Sequence, residues 1–458
     1  MNILAASKRI ALVGRSRTTK LVAMGAALAI AATGYLVVSA VGGDPPAGAK
    51  AILNLPRIDW EGGPSYWKQF EKADAAGWND PSYIPIGVFY GRADSSHVAS
   101  LKDAGINLYM NVEHDPKTFP LTNVTNAGIY VMPGPDWTLA EVGNNPMAVG
   151  WFVSDECDMG YTECTPDWNH DNGEYGRLAV QQSYVKKLRG YNDGRFLHAN
   201  FGNGILRTFW ANNTMDDHIK LMDSASADKY TYTSPDVAGL IDGSHDAPDW
   251  PSGTPVARAY SYGWQVDQMK RFQDPARLKP IWAFVETAMP NLNEAGARTI
   301  EPDQIEGAVW SALIHEARGI AYFQHNNNGR CGDYSIVQCP AVHAAVKAVN
   351  SKVKSLAPVL NTQSHYNSTR TVNGFTYQYY TFNNGTDTML KTYNGSAYIF
   401  AGLGMGDATG SKTFALPAGV NGTTVTVVGE DRTIPVTNGS FADKFAHEYT
   451  HHVYRIEL

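Results

Sequence analysis

Short apolar runs alternate with longer segments of helical period between residues 84 and 328 of the chain. Eight of these runs have the length and the near-continuous hydrophobicity typical of strands that are covered on both faces. They span residues 84–90, 106–112, 128–132, 149–154, 195–200, 227–232, 280–286 and 319–325. Predicted helices lie between them, among them one at 175–189 that Gly190 ends and one that starts at Pro302. Eight parallel strands with crossover helices over about 250 residues predict an α/β fold, the (β/α)8 TIM barrel.

The pattern changes after a further predicted helix at 341–356. From residue 357 to residue 458, β-branched and aromatic residues alternate with polar ones, and Asn-Gly or glycine-rich turns separate the runs. Such alternation is typical of antiparallel sheets with one solvent-facing side. We therefore predict a barrel domain over 50–356 and a small C-terminal antiparallel β-sandwich over 357–458.

Residues 1–49 have a third character. A basic stretch that ends at Lys20 precedes a mostly apolar segment, 21–41, and small-x-small patterns suited to a signal peptidase follow. This order predicts a signal peptide and export, so that the folded part would be secreted or extracellular. Because 21–41 is also long enough to span a bilayer, an uncleaved anchor that tethers the protein to a membrane is the alternative.

The composition of the 458-residue chain limits the classes of partner that it could bind. With 43% hydrophobic and 18% charged residues it is an ordinary globular sequence, and its net charge of -7 argues against nucleic acid, which requires a basic surface. All 11 tryptophans fall between Trp60 and Trp310, inside the predicted barrel. Aromatic rings that are not part of a core commonly stack on sugar rings. We expect a monomer that binds a neutral ligand and uses no cofactor.

Four cysteines occur as two close pairs, Cys157 with Cys164 and Cys331 with Cys339. In an exported protein such pairs predict local disulfides that close short loops. A zinc site is the alternative, although neither pair has the C-x-x-C spacing.

Candidate catalytic residues lie where polar side chains follow the apolar runs, because the site of a (β/α)8 barrel lies at the carboxyl ends of its strands. Glu156 follows the fourth run and Glu286 ends the seventh, and a carboxylate in such a place is costly to desolvate unless it has partners. Strands four and seven lie on opposing sides of an eight-strand barrel, so the two side chains would converge across its mouth. Two facing carboxyl groups are the apparatus of glycoside hydrolysis, with a salt-bridged structural role as the alternative for each.

The candidates for substrate contact share a place at or near a strand end: Asp155, Asn111, Trp137, Asn200, Tyr230, Trp282 and His325. Asp155 could accept a hydrogen bond from a sugar hydroxyl or cap the following loop. The amides of Asn111 and Asn200 can donate to and accept from sugar hydroxyls, although turn formation explains such residues as well. Trp137 would offer a ring for stacking, whereas Trp282 would pack inside the barrel and still lie close enough to touch a bound sugar.

Together these features resemble the retaining glycoside hydrolases of clan A, which carry one glutamate at the end of barrel strand four and another at the end of strand seven. The stretch TVTVVGEDRTIPVTNGSFADKFAHEYTHHVYRI is similar to the β-sandwich that follows the barrel in many members. The resemblance covers roughly residues 55–458. It implies that Glu156 is the acid/base, that Glu286 is the nucleophile, and that Tyr230, or as second choice Tyr232, hydrogen-bonds the nucleophile.

The chain departs from the clan pattern at two places. Clan members usually have Asn before the acid/base and Pro after it, where this chain has Asp155 and Cys157, and Gln324 and His325 stand where a tryptophan usually ends strand eight. The resemblance implies an exported retaining glycosidase that acts, with a preference for endo cleavage, on a neutral polysaccharide or oligosaccharide. Its family, sugar and linkage stay open. The rival hypotheses are a non-catalytic cell-surface carbohydrate-binding protein on the same scaffold and a metal-dependent barrel hydrolase, for which the usual H-x-H pair is missing.

Overall fold

The computed structural model describes residues 53–160, 164, 177–242, 249–291, 294–327, 329–372 and 374–458. The predicted export segment, including the apolar stretch 21–41, lies outside these ranges. Within them, none of the helices combines the length and the apolar character required to cross a membrane.

A ring of eight parallel strands forms the centre of the fold. The strands are β1 (Ile86–Phe89), β2 (Leu108–Met110), β3 (Tyr130–Met132), β4 (Gly150–Asp155), β5 (Phe196–Phe201), β6 (Ser224–Ala227), β7 (Ile281–Glu286) and β8 (Ile320–Phe323). Their order in the sheet is β3-β2-β1-β8-β7-β6-β5-β4. A parallel bridge between Val131 and Ala148 joins β3 to the residues that lead into β4 and closes the ring. The predicted (β/α)8 barrel is confirmed.

Helices connect the strands and cover the outside of the ring. They are α1 (Glu71–Ala75), α2 (Ser95–Asp103), α3 (Thr122–Thr125), α4 (Leu139–Val142), α5 (Leu178–Arg189), α6 (Met215–Lys220), α7 (Pro235–Ile241), α8 (Tyr260–Lys270), α9 (Pro302–Ile314), α10 (Ser335–Gln338) and α11 (Pro340–Leu360). The helix predicted from Pro302 is confirmed as α9, where the proline occupies the first turn and needs no backbone donor. Short 3-10 helices cover Gly63–Gln69, Cys157–Met159, Asn203–Ile205 and Thr208–Ala211.

Strand six lies three residues earlier than the sequence predicts. The sequence places the strand at 227–232, where tyrosine and threonine have high β propensity, but β6 consists of the small residues Ser-Ala-Ser-Ala. Its two serines contact the ring of His198, with Nδ1 2.9 Å from the hydroxyl of Ser224 and Nε2 3.1 Å from that of Ser226. Small side chains leave room for this buried imidazole, and such a strand carries little hydrophobic signal.

Aromatic side chains fill the interior of the barrel and close its amino-terminal end. Trp67 and Trp78, from the segment that precedes β1, pack beneath the ring, with centroids 6.4 and 6.2 Å from that of Trp282. Trp67 also lies 4.9 Å from Phe196. The lower interior is thus a packed core, as in other barrels of this type. Within the barrel itself, the described residues leave room for a ligand at the carboxyl-terminal mouth.

Antiparallel strands form the C-terminal part of the chain. They are β9 (Ser368–Val372), β10 (Phe375–Tyr379), β11 (Thr386–Tyr393), β12 (Ser396–Leu403), β13 (Gly410–Ala415), β14 (Thr424–Val427), β15 (Arg432–Pro435), β16 (Ser440–Phe445) and β17 (His451–Glu457). A five-stranded sheet, β11-β12-β17-β14-β15, packs with the two-stranded sheet β13-β16, while β9 and β10 form a separate hairpin. This confirms the predicted sandwich. It belongs to the same compact unit as the barrel, Lys50–Leu458.

Candidate active site

Glu156 directly follows β4 and has an unusual backbone conformation. Its φ is 49°, in the left-handed region that non-glycine residues seldom adopt, and its backbone N–H donates to the carbonyl oxygen of Asn200 at 3.0 Å. The side chain is only 8% exposed. Strain of this kind is concentrated at functional sites because the surroundings must hold it in place.

Asp155 and Asn200 form a buried pair beside Glu156. The Asn200 amide donates to Asp155 Oδ1 at 2.9 Å, and its own oxygen accepts from the Ser226 hydroxyl at 2.8 Å. Burial, together with the charge of Glu156, raises the pKa of Asp155 to about 8. The amide of Asn200 is therefore engaged by the protein, and its observed contacts orient a carboxyl group.

Two further charged side chains meet Glu156 from the end of β6. Asp228 is hydrogen-bonded to the Glu156 carboxyl, and the Nζ atom of Lys229 lies 3.6 Å from Glu156 Oε1. Burial raises the pKa of Glu156 well above its usual value, and Asp228 raises it further against the opposing charge of Lys229. Asp228 has its own pKa raised to about 7, chiefly by burial. Two adjacent carboxyl groups of this kind favour a shared proton.

Glu286 ends β7 and is fully buried. The Tyr262 hydroxyl lies 2.7 Å from its Oε1 and 2.6 Å from its Oε2, and the Thr233 hydroxyl donates to Oε1 at 3.2 Å. Burial raises the pKa of Glu286 to about 7, although the hydrogen bonds from Tyr262 and Thr233 oppose that rise. The donors thus favour the charged carboxylate at this position.

Tyr230 connects the two sides of the site. Its hydroxyl is buried and has no hydrogen-bond partner among the described residues. Burial raises its pKa, and the charges of Asp228, Glu156 and Glu286 all add to that rise. The hydroxyl of Tyr230 therefore lies within electrostatic reach of both predicted catalytic glutamates.

The side-chain hydroxyl groups of Tyr230 and Tyr232 do not bond Glu286 in the structure, which corrects the expectation that one of them does. Tyr232 donates instead to Glu448 of the sandwich, at 2.8 Å, and the tyrosine that bonds Glu286 is Tyr262 on α8. Nothing in the sequence near Glu286 points to a helix residue that packs back across the strand end. The misplacement of strand six contributed, because it set the wrong tyrosines at a strand end.

The predicted tryptophan contacts are packing positions in the structure. Trp137 is 2% exposed and its indole N–H donates to the carbonyl of Val112 at 2.9 Å. Trp282 is 1% exposed and lies 4.6 Å from His198 inside the barrel. Asn111, at the end of β2, lies against Gly134, where an added Cβ would be 1.8 Å from its Oδ1. Trp137 and Trp282 are thus packing residues, and Trp282 belongs to the lower interior of the barrel, beside Trp67 and Trp78.

His325 belongs to a partly exposed aromatic surface beyond β8 and β1. Its ring centroid lies 5.4 Å from Phe323, 5.9 Å from Tyr90 and 5.1 Å from Tyr334. Phe323 in turn lies 5.4 Å from Tyr230, so that the surface reaches the centre of the mouth. We call these four outer rings, Tyr90, Phe323, His325 and Tyr334, the aromatic rim.

Both predicted disulfides are present, Cys157–Cys164 and Cys331–Cys339. The first begins next to Glu156, and the second closes the loop that carries Tyr334. Asp158, two residues after Glu156, is fully buried and accepts hydrogen bonds from the backbone N–H groups of Gly202 and Gly204 at 2.9 and 2.7 Å. In the part of the chain that the structure describes, no group of three or more His, Cys, Asp or Glu side chains is arranged to hold a metal ion.

Comparisons with other proteins return structural similarity alone. No family model matches the sequence, and the search of curated proteins finds no match. A solved structure of a glycoside hydrolase has 10% identity and a TM-score of 0.48, over 82% of this chain and 93% of that one. An arabinofuranosidase structure has 12% identity and a TM-score of 0.46, over 82% of this chain and 99% of that one. An α-amylase from Geobacillus thermoleovorans has 11% identity and a TM-score of 0.44, over 82% of this chain and 98% of that one. With sequence identities of 10–12% and TM-scores below 0.5, these similarities do not assign a function to this chain.

Proposed function

We propose that the chain is an exported retaining glycoside hydrolase that cleaves O-glycosidic bonds of a neutral polysaccharide, with Glu156 as acid/base and Glu286 as nucleophile. The observation that carries this proposal is the contrast between two buried carboxyl groups. Glu286 accepts from hydroxyl groups that favour its charged form, whereas the carboxyl of Asp228 favours the protonated form of Glu156. One carboxyl group that is held in its charged form and one that is held protonated are what a nucleophile and a general acid require.

In the first step Glu286 attacks the anomeric carbon of the bound sugar. The bond from that carbon to the glycosidic oxygen breaks, and Glu156 gives its proton to this oxygen as the leaving group departs. In the second step the ionised Glu156 takes a proton from water, whose oxygen attacks the same carbon and releases Glu286. Two inversions leave the anomeric configuration retained.

The neighbouring residues position the two glutamates. Tyr262 orients the Glu286 carboxylate through a hydrogen bond that also spreads its charge. Lys229, 3.6 Å from Glu156, would stabilise the carboxylate that forms after proton transfer, while Asp228 keeps the proton in place before it. Together they let one buried group act first as acid and then as base.

Substrate binding would involve the aromatic rim and Tyr230. Ring faces offer flat apolar area to sugar rings, and the unpartnered Tyr230 hydroxyl can bond a sugar hydroxyl. The neutral character of the substrate follows from the overall negative charge of the protein together with the acidic mouth, which would repel a polyanion. Endo cleavage is favoured by the rim, which extends from the centre of the mouth toward β1.

The test is a comparison of hydrolysis by wild type, Glu156→Gln and Glu286→Gln on a panel of neutral polysaccharides. Each variant should lose at least about a thousandfold in kcat, and proton NMR of the wild-type reaction should show a product that first appears with the anomeric configuration of the substrate. Glu457→Gln, a change of an exposed carboxylate at the end of β17, serves as the matched control. Near wild-type rates in both active-site variants would exclude the assignment. Tight binding of a glycan without hydrolysis by wild type would favour the non-catalytic binding protein.

A further inference from the structure

A groove of about 520 Å³ lies between the barrel and the β9–β10 hairpin. Its walls include Asp267 and Lys270 of α8 and the strand β10, with Trp60 at one end. A volume of this size falls within the range of about 300–1,000 Å³ that is common for ligand sites.

The groove is well separated from the proposed catalytic glutamates. Ile281, the first residue of β7, lines it, whereas Glu286 is the last residue of the same strand. Five residues of extended strand span about 17 Å. A ligand in the groove would therefore occupy a place toward the amino-terminal ends of the strands, away from the mouth.

One side of the groove carries a row of aromatic residues. Phe375, Tyr377 and Tyr379 alternate along β10 and so share one face of the strand. The Tyr377 hydroxyl donates to the carbonyl oxygen of Asp267 at 2.8 Å, which fixes this face toward α8. Tyr379 is 41% exposed and is one of the few large apolar side chains that the described residues leave open. Part of the Tyr379 ring is therefore accessible to a ligand in the groove.

Several of the charged side chains that line the groove are paired with one another. His315 contacts Asp267 at 2.9 Å and Asp387 at 3.3 Å. On the side nearest Trp60, Arg318 contacts Glu61 at 3.0 Å and Glu316 at 3.1 Å. Little net charge is left to attract an ion.

The same surface offers neutral hydrogen-bonding groups. The amide of Gln378 is held by Asp59, with Nε2 3.0 Å from Oδ2, and Thr376, Thr381 and Thr388 are among the residues that line the groove. Aromatic faces beside neutral amide and hydroxyl groups, on a surface with little net charge, are the chemistry that recognises an uncharged sugar chain.

We propose that this groove is a second saccharide-binding site, which holds a segment of a neutral polysaccharide while the mouth acts elsewhere on the polymer. The inference deepens the proposed function and rests on it for its ligand class. Two sites on one compact unit raise the effective concentration of polymer at the mouth, because a chain held at one site is retained near the other.

The test measures binding directly, in the Glu286→Gln background, by affinity electrophoresis in gels that contain starch, arabinoxylan, galactomannan or mixed-linkage β-glucan. We expect at least one polymer to retard the protein in the gel. Adding Tyr379→Ala should increase the dissociation constant for that polymer about five- to tenfold. Tyr379→Phe keeps the ring and should stay within about twofold of the parent. Thermal unfolding of each variant verifies that the exposed position has been changed without loss of the fold.

Either of two results in the four gels would overturn the inference: no retardation in any of them, or equal retardation with and without the Tyr379 ring. A fifth gel contains polygalacturonate, a charged polymer, and retardation in that gel alone would overturn the inference as well. Kinetics of otherwise wild-type protein separate this inference from the proposed function. If Tyr379→Ala slows hydrolysis of dilute polymer but leaves cleavage of a short aryl glycoside unchanged, both hold. If no glycan is cleaved while the ring-dependent retardation persists, the catalytic proposal fails and the second site stands.

Discussion

The Tyr262 hydroxyl sits within 2.7 Å of both carboxyl oxygens of Glu286. Tyr262 lies in the first turn of α8, and Glu286 is the last residue of β7, so a helix on the outside of the barrel reaches over the strand end to the proposed nucleophile. Because both groups are buried, the bond is made in a medium of low dielectric, where a hydrogen bond to a charged acceptor is strong.

We predict that Tyr262→Phe lowers kcat/KM at pH 7 by about ten- to hundredfold, the range expected for loss of a hydrogen bond to a charged group. The pKa of Glu286 is about 7 with the bond present and should rise without it. Since the nucleophile must be ionised, the acidic limb of the pH profile should move to higher pH. Tyr260→Phe, on the same helix but bonded to the Pro255 carbonyl, is the control. An unchanged acidic limb would contradict the prediction.

Asp228→Asn should move the opposite limb of the profile. The carboxyl of Asp228 raises the pKa of Glu156, so a neutral amide in its place should lower that pKa. The acid/base would then lose its proton at lower pH, and the alkaline limb of kcat/KM should shift downward. The pH profile of Asp431→Asn, an exposed change in the sandwich, should match wild type. A shift of the acidic limb alone would count against the proposed pairing of Asp228 with Glu156.

The sequence predicted those parts of the site that stand at the ends of long apolar strands. β4 and β7 are six residues each and almost wholly apolar, so the acids at their ends were conspicuous. β6 is short and made of serine and alanine, because its neighbours are the imidazole of His198 and the amide of Asn200. Its weak pattern concealed Asp228, the residue that follows it.

The contact of Tyr262 with Glu286 could not be predicted from hydrophobic periodicity for another reason. It lies 24 residues before Glu286, on a helix, and only the packing of α8 against β7 brings the two together. The tryptophans show the converse limit. Their abundance indicated stacking surfaces, yet Trp137 and Trp282 are buried, and the partly exposed rings of the rim are tyrosine, phenylalanine and histidine.

Stability should depend on pH through His315, which joins barrel and sandwich. Burial disfavours its charge, but Asp267 and Asp387 outweigh burial and raise its pKa to about 10. A pKa raised on folding gives stability that is fully present below about pH 6.5 and is lost as the pH rises toward 10. His315→Gln should therefore lower the free energy of unfolding by about 2–4 kcal/mol at pH 6 and by less at pH 9. Chemical denaturation at both pH values measures this, and an equal loss at both would contradict it.

The two disulfides should separate catalysis from binding. Cys157–Cys164 begins beside Glu156, whose left-handed backbone must be held in place, whereas Cys331–Cys339 closes the loop that presents Tyr334 of the aromatic rim. Each closes a short loop, and removing a bond of this kind costs roughly 2–3 kcal/mol of stability. Similar losses of stability should thus accompany different losses of activity.

We expect Cys157→Ser with Cys164→Ser to lower kcat by about tenfold or more, because the proton donor loses its fixed position, with little change in KM. Cys331→Ser with Cys339→Ser should mainly raise KM for a polymeric substrate, since under the proposed function the rim would contact sugar and not the reacting bond. Kinetics at a temperature well below both unfolding transitions keep stability out of the comparison. If both double variants changed kcat and KM in the same proportion, neither disulfide would have the local role that its position in the barrel mouth implies.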